Sequence, residues 1–138
     1  MKTFIRRPGN KTNHLKHILP LIPEFTGTYY EPFVGTGAVY LALLPKKAVL
    51  NDLNKDIAGI WKLAKRDPQF MIDAIEEFKA EFLPLNNEQK LKYCRGKIEE
   101  LKTLKGKIRI VLYLILVYCS FSGSLLNSRG TYSFSLYV

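Results

Sequence analysis

The chain has 138 residues, 21 Lys+Arg against 12 Asp+Glu for a formal net charge of +9, 47% hydrophobic residues and two cysteines. That is long enough for one domain with its own core and too apolar for a disordered chain. The longest apolar run, Ile110–Cys119, is ten residues, too short to span a bilayer, and no apolar signal core precedes the first prolines.

No acid precedes Glu24 and none follows Glu100, so the basic excess lies in the two ends. That distribution favours a polyanionic partner there, nucleic acid first among them. Cys94 and Cys119 show no metal-ligand spacing and read as reduced thiols of a cytosolic protein.

Residues 1–11 read as a basic loop. A helix start is expected near Thr12 or Asn13, both suitable caps. Leu15, Ile18, Leu19 and Ile22 follow at helical spacing, and Pro20 and Pro23 limit that helix.

Tyr29–Val34 is aromatic and β-branched around Glu31-Pro32, which suits the end of a strand because proline cannot donate to a ladder. Gly35 and Gly37 bracket Thr36, leaving no Cβ between backbone and a ligand. Ala38–Leu44 then reads as an apolar helix closed by Pro45, its first N–H groups aimed at whatever fills the turn. A second buried strand, Val49–Leu50, ends on Asn51-Asp52. In such folds a carboxylate at that strand tip accepts hydrogen bonds from ribose hydroxyls, which makes Asp52 the candidate for that role. Strand, glycine turn, helix and acidic strand tip make half of a nucleotide-binding α/β unit. The third glycine of the dinucleotide fingerprint is missing, so a nucleoside ligand without phosphates fits better than a pyrophosphate.

Lys55–Lys65 places Ile57, Ile60, Trp61 and Ala64 on one helical face, with Trp61 in the core. Asp67 is a cap and Pro68 a first helical residue for a helix whose apolar face holds Phe70, Ile72 or Ala74, Ile75, Phe78 and Phe82. A further helix is expected from Asn87 to Leu104, with Leu91, Ile98, Leu101 and Leu104 inward. Lys107–Phe121 is apolar all round. Its β-branched content permits a strand; its length favours a buried helix. Ser122–Phe134 is a turn-rich loop.

Glu31-Pro-Phe-Val-Gly-Thr-Gly-Ala-Val39 resembles the S-adenosylmethionine motif of the Dam-like, D12-class DNA adenine-specific methyltransferases, and Asn51-Asp-Leu-Asn54 resembles their ribose-binding strand end. Arg6-Arg-Pro-Gly-Asn-Lys11 is similar to their amino-terminal Lys-Trp-Ala-Gly-Gly-Lys-like segment, keeping one glycine and the last lysine, with Arg7 where an aromatic residue often stands. Phe121, Gly123, Asn127, Gly130 and Phe134 match in kind their Phe-Asn-Gly segment; Ser122 replaces its Asn, and the spacer before Asn127 is one residue short.

The resemblance implies a Rossmann-like methyltransferase fold with S-adenosylmethionine as cofactor. It implies cofactor contacts at Glu31, Pro32, Phe33, Gly35, Thr36, Gly37, Asp52 and Leu53, with Arg7, Pro8 and Lys11 lining the methionine end. Asn127 and Arg129 would meet double-stranded DNA. Residues 67–105 would be a helical insertion, and 121–138 the start of the DNA-recognition segment.

The family's Asp-Pro-Pro-Tyr motif does not occur in these 138 residues, so no catalytic residue is assigned. Its carboxylate and prolyl carbonyl accept hydrogen bonds from the adenine amine while its ring stacks on the flipped base. The nearest match, Asp67-Pro-Gln-Phe70, lacks the second proline and reads as a helix cap. The expectation is therefore the amino-terminal part of a methyltransferase with an incomplete sheet, truncated or split, that binds cofactor at best and is inactive alone. Two further readings stand beside it. One is a non-catalytic DNA-binding remnant or partner subunit of a second chain that carries the motif. The other is a different Rossmann-like enzyme acting on a small molecule or RNA.

Overall fold

The computed structural model describes residues 3–121, 123–126 and 132–137. Two compact units divide it, Met1–Ala58 and Gly59–Val138.

The first unit opens with a loop and a short helix α1, Leu15–Ile18, flanked by 3₁₀ turns at Thr12–His14 and Leu19–Leu21. The expected cap is displaced. Neither Thr12 nor Asn13 stands at the cap position; Lys11 does, without a side-chain cap bond, and Asn10 Oδ1 accepts the Thr12 N–H at 2.9 Å and the Thr12 hydroxyl at 2.7 Å. An Asn two residues upstream can close an Asx turn in this way.

Strand β1, Tyr29–Glu31, stops at the Glu31-Pro32 step that suits a strand end and does not run on to Val34. Pro32 has no N–H for the ladder and the chain turns immediately after it. β1 pairs in parallel with β2, Ala48–Leu50, in the register Tyr29 to Ala48, Tyr30 to Val49 and Glu31 to Leu50. Helix α2, Ala38–Leu43, connects them. It stops because Leu44 turns into the left-handed region at φ 45° while its N–H still bonds the Tyr40 carbonyl at 2.8 Å. Among the described residues the sheet has these two strands. The fold is therefore mixed α/β, mostly helical, with one parallel strand pair.

Helix α3, Lys55–Arg66, contains the unit boundary. Ile57, Ile60 and Leu63 are buried, whereas Trp61 and Ala64 are half-buried, so the inward stripe lies toward Leu63 rather than centred on Trp61.

The second unit holds α4 (Pro68–Phe82), α5 (Asn87–Thr103) and α6 (Gly106–Cys119). Asp67 caps α4 by accepting the Phe70 N–H at 3.2 Å, and its other oxygen meets the Lys107 ammonium at 3.0 Å. Lys107 holds the exposed Asp67 carboxyl below its usual range, and the Phe70 N–H adds to the effect. Asn86 and Gln89 form a reciprocal capping box at the start of α5. Helix α6 is the core element, with every residue from Val111 to Val117 buried, and both α4 and α5 pack against it. Length decides the ambiguous apolar run in favour of helix. Met71 rather than Ile72 is buried on α4, and Cys94 joins Ile98 and Leu101 on the buried face of α5. Phe78, Phe82 and Tyr93 make an aromatic bridge between α4 and α5, with Phe78 5.2 Å from Phe82 and 5.4 Å from Tyr93.

Beyond α6 the described residues pair antiparallel, Ser120 with Leu136 and Leu126 with Tyr132. Main-chain bonds join the described residues on either side of the expected turn-rich loop, with Phe121 N–H on the Ser135 carbonyl at 2.8 Å and Ser133 N–H on the Leu125 carbonyl at 2.9 Å.

Candidate functional site

Two glycines with positive φ, Gly35 at 48° and Gly37 at 68°, let the chain reverse from β1 into α2 within a few residues. Successive N–H groups of this turn are directed at the end of β2. Val34 donates to the Asn51 carbonyl at 2.8 Å and Gly35 to Asp52 Oδ2 at 2.9 Å. Asp52 Oδ1 accepts the Asn54 N–H, also at 2.9 Å. Both oxygens of the carboxylate are therefore held in place by main-chain donors from either side.

The basic amino-terminal loop is tied to the same turn through Thr36, which is buried. The Thr36 hydroxyl donates to Asn10 Oδ1 at 3.2 Å, and the Thr3 hydroxyl donates to the Thr36 carbonyl. These bonds draw Arg7 and Lys11 alongside the glycine turn.

The result is an open concavity of about 150 Å³. Small-molecule sites span about 300–1,000 Å³, so this one holds part of such a ligand. Of the residues singled out in the sequence, Arg7, Pro8, Lys11, Glu31, Phe33, Gly35, Thr36 and Asp52 line it. Pro32, Gly37 and Leu53 do not. Gly37 is buried and donates to the Val34 carbonyl, while Leu53 is 90% exposed. Phe33, at the rim, is 82% exposed. Asn127 and Arg129 lie outside the described residues.

Sequence reasoning missed Gly9, Asn10, Val34, Ala38 and Val39, which complete the lining. Asn10 carried a signal, an amide two residues before a threonine at a helix start; the others carried none.

Glu31, which lines the concavity, has its acidity displaced. Burial pushes its carboxyl above the ordinary range, opposed by hydrogen bonds from the Tyr29 hydroxyl, at 3.1 Å, and the Tyr40 main-chain N–H. The Tyr29 phenol is in turn pushed up to about 12 by burial first and then by the neighbouring Glu31 charge. A half-buried carboxylate with limited solvation favours a cation beside it.

The fold defines the class as mixed α/β, built on a parallel strand pair joined by a glycine turn and a short helix. The profile of the D12 class N6 adenine-specific DNA methyltransferases matches residues 8–137, and the chain belongs to that family. Its members use S-adenosylmethionine and bind DNA. The chain is 29% identical over 119 residues to the type II methyltransferase M1.LlaDCHI of Lactococcus lactis subsp. cremoris, covering 83% of this chain and 40% of that protein. It is 32% identical over 102 residues to the type II methyltransferase M.MjaIII of Methanocaldococcus jannaschii, covering 67% and 35%. A DNA adenine methylase of Salmonella typhi is 28% identical over 134 residues, covering 96% and 46%. The chain thus spans less than half the length of these curated relatives.

Proposed function

We propose that the concavity beside the glycine turn is the S-adenosylmethionine half-site of a site-specific DNA adenine methyltransferase. The observation that carries this reading is the doubly held Asp52 carboxylate. Each of its oxygens accepts one main-chain N–H and keeps acceptor capacity for a ribose hydroxyl. Arg7 and Lys11 line the same concavity, where a cation can meet the cofactor's carboxylate. Glu31, with little solvent to stabilise its charge, suits the neighbourhood of a sulfonium. The residues present therefore fit the group.

When bound, S-adenosylmethionine supplies an electrophilic methyl group for direct transfer to an exocyclic amine. The chain's own contribution is position: Asp52 holds the ribose, the Gly35–Gly37 turn brings backbone close to the ligand, and Thr36 keeps the basic loop in place. That kind of positioning accounts for a large part of a bimolecular transfer barrier. Contacts by Pro32, Gly37 and Leu53 belong to the same reading, as do DNA contacts by Asn127 and Arg129, residues 67–105 as an insertion, residues 121–138 as the start of the recognition segment, and a cytoplasmic setting.

Asp67 and Pro68 serve as a helix cap, and Asp-Pro-Pro-Tyr is absent from these 138 residues. The polypeptide by itself is thus expected to bind cofactor and not to turn over. A second reading, that another segment or a partner chain carrying that motif completes the site, is favoured by the sheet. Parallel sheets are stable when covered on both faces, yet Tyr30 and Val49, paired on one face, are 68% and 50% exposed.

Calorimetric titration of the chain with S-adenosylmethionine and, separately, with a nicotinamide dinucleotide tests the proposal, alongside a methyl-transfer assay on DNA. Binding of the first ligand alone is the expected result. Failure of a folded chain to bind it would overturn the half-site assignment, and unaided methylation would overturn the expected lack of turnover.

A further inference from the structure

Asn10 is a half-buried amide in the basic loop, and its oxygen serves three donors. Oδ1 accepts the Thr12 N–H at 2.9 Å, the Thr12 hydroxyl at 2.7 Å and the Thr36 hydroxyl at 3.2 Å. A main-chain N–H can meet only the oxygen of an amide, so the Thr12 bond fixes which way the group is turned. The first two bonds close a local turn; the third crosses to the glycine turn. Thr36 fastens the loop at both ends, its carbonyl accepting the Thr3 hydroxyl and its own hydroxyl donating to Asn10. Arg7 lies between these two fastenings, and Lys11 directly follows the second.

We infer that Asn10 is a positioning residue for the ligand of this concavity. It sets where Arg7 and Lys11 stand relative to Asp52, and so makes the site favour a nucleoside that carries an amino-acid carboxylate over the same nucleoside without one. The inference rests on the half-site reading above and deepens it.

The path between the two ends of the concavity is short. Thr36 follows Gly35, whose N–H is on Asp52 Oδ2 at 2.9 Å. The residue that receives the basic loop is therefore next in the chain to the residue that holds the Asp52 carboxylate. In the Lys-Trp-Ala-Gly-Gly-Lys-like segment that the loop resembles, the place of Asn10 is a glycine, which has no side chain to make these bonds, so the resemblance does not supply this role.

Arg7 and Lys11 carry long side chains on a loop in which Pro8 and Gly9 are exposed and Gly9 takes φ 78°. Ordering such a loop on binding costs affinity, and bonds already made in the free chain remove that cost. Only a ligand group that reaches Arg7 and Lys11 gains from this. A ribose on Asp52 does not, because the Asp52 oxygens are held by Gly35 and Asn54, and neither bond involves Asn10.

The test is calorimetric titration of the chain with S-adenosylhomocysteine and with methylthioadenosine, which keeps the adenine, ribose and thioether and lacks the amino-acid group. Asn10→Ala removes all three bonds; Thr36→Val removes only the crossing bond and leaves the Thr12 turn. The inference expects S-adenosylhomocysteine to bind about 3- to 10-fold more weakly to each variant, with methylthioadenosine changed by less than about twofold. Thr36→Ser, which keeps the hydroxyl, should stay within about twofold of wild type for both ligands. The double variant Asn10→Ala/Thr36→Val should lose no more than Asn10→Ala alone, because both changes break the same crossing bond. Equal weakening for the two ligands would overturn the inference by making Asn10 a support of the turn only, and unchanged affinity for S-adenosylhomocysteine in both variants would overturn it as well. A folded wild-type chain that binds neither ligand would overturn the half-site reading itself, and the inference with it. Should Asn10→Ala fail to fold by circular dichroism, Thr36→Val against Thr36→Ser decides by the same comparison.

Discussion

Replacement of Asp52 by asparagine should cost nearly as much as replacement by alanine. The carboxylate presents two acceptors, and main-chain donors occupy both sides: Gly35 N–H on Oδ2 and Asn54 N–H on Oδ1, each at 2.9 Å. An asparagine amide has one acceptor oxygen and one donor NH₂. Whichever way it is turned, the NH₂ opposes one of the two N–H groups. A hydrogen bond to a charged acceptor contributes about 1.5–3 kcal/mol; Asp52 is half-buried, which places the loss for Asp52→Ala at about 1–3 kcal/mol. Asp52→Asn should fall within about 0.5 kcal/mol of that figure, whereas Asp52→Glu, which keeps both acceptors one methylene further out, should lose less. Urea unfolding followed by circular dichroism measures the stabilities, and titration with S-adenosylmethionine should rank affinity in the same order. An Asp52→Asn chain as stable as wild type would show that the two N–H bonds do not hold the carboxylate, and the account of the site would fail with them.

Glu31→Gln should raise stability at neutral pH. The folded state disfavours the Glu31 charge, so its contribution is full at low pH, where the carboxyl is protonated in both states, and declines as pH rises through the elevated folded value. The advantage of the glutamine variant over wild type should vanish in acid; unfolding midpoints across pH check this. Two glycine-to-alanine substitutions should have opposite signs. Gly96, inside α5 with nothing within 4 Å of an added Cβ, should gain about 0.5–1 kcal/mol, and Gly106, at φ +67°, should lose about 1 kcal/mol or more. Thermal midpoints read both. Leu101→Ala removes a side chain with 0% exposure between α5 and its neighbours and should cost about 2–5 kcal/mol in urea unfolding.

Local rules made the second unit legible. Asp67-Pro68 acts as the cap its chemistry predicts, and the apolar run after Lys107 is long enough to choose helix over strand. The glycine turn and the acidic strand tip were also legible, because positive φ and a carboxylate beside a turn each leave a residue-level mark. What was not legible depends on partners distant in sequence. Nothing local tells that Gly35 N–H meets Asp52, or that Asn10 and Thr3 both reach Thr36. β1 ends at Glu31, where Pro32 lacks a donor, the cue that the sequence offers for a strand end. On α4, Met71 and Ile72 compete for one face and the packing of α6 decides between them.

The most direct test of the central claim is a crystal structure of the chain with S-adenosylhomocysteine. The account predicts the two ribose hydroxyls within hydrogen-bonding distance of the two Asp52 oxygens, with the amino-acid end toward Arg7 and Lys11. A ligand seated elsewhere, or a ribose turned away from Asp52, would contradict it.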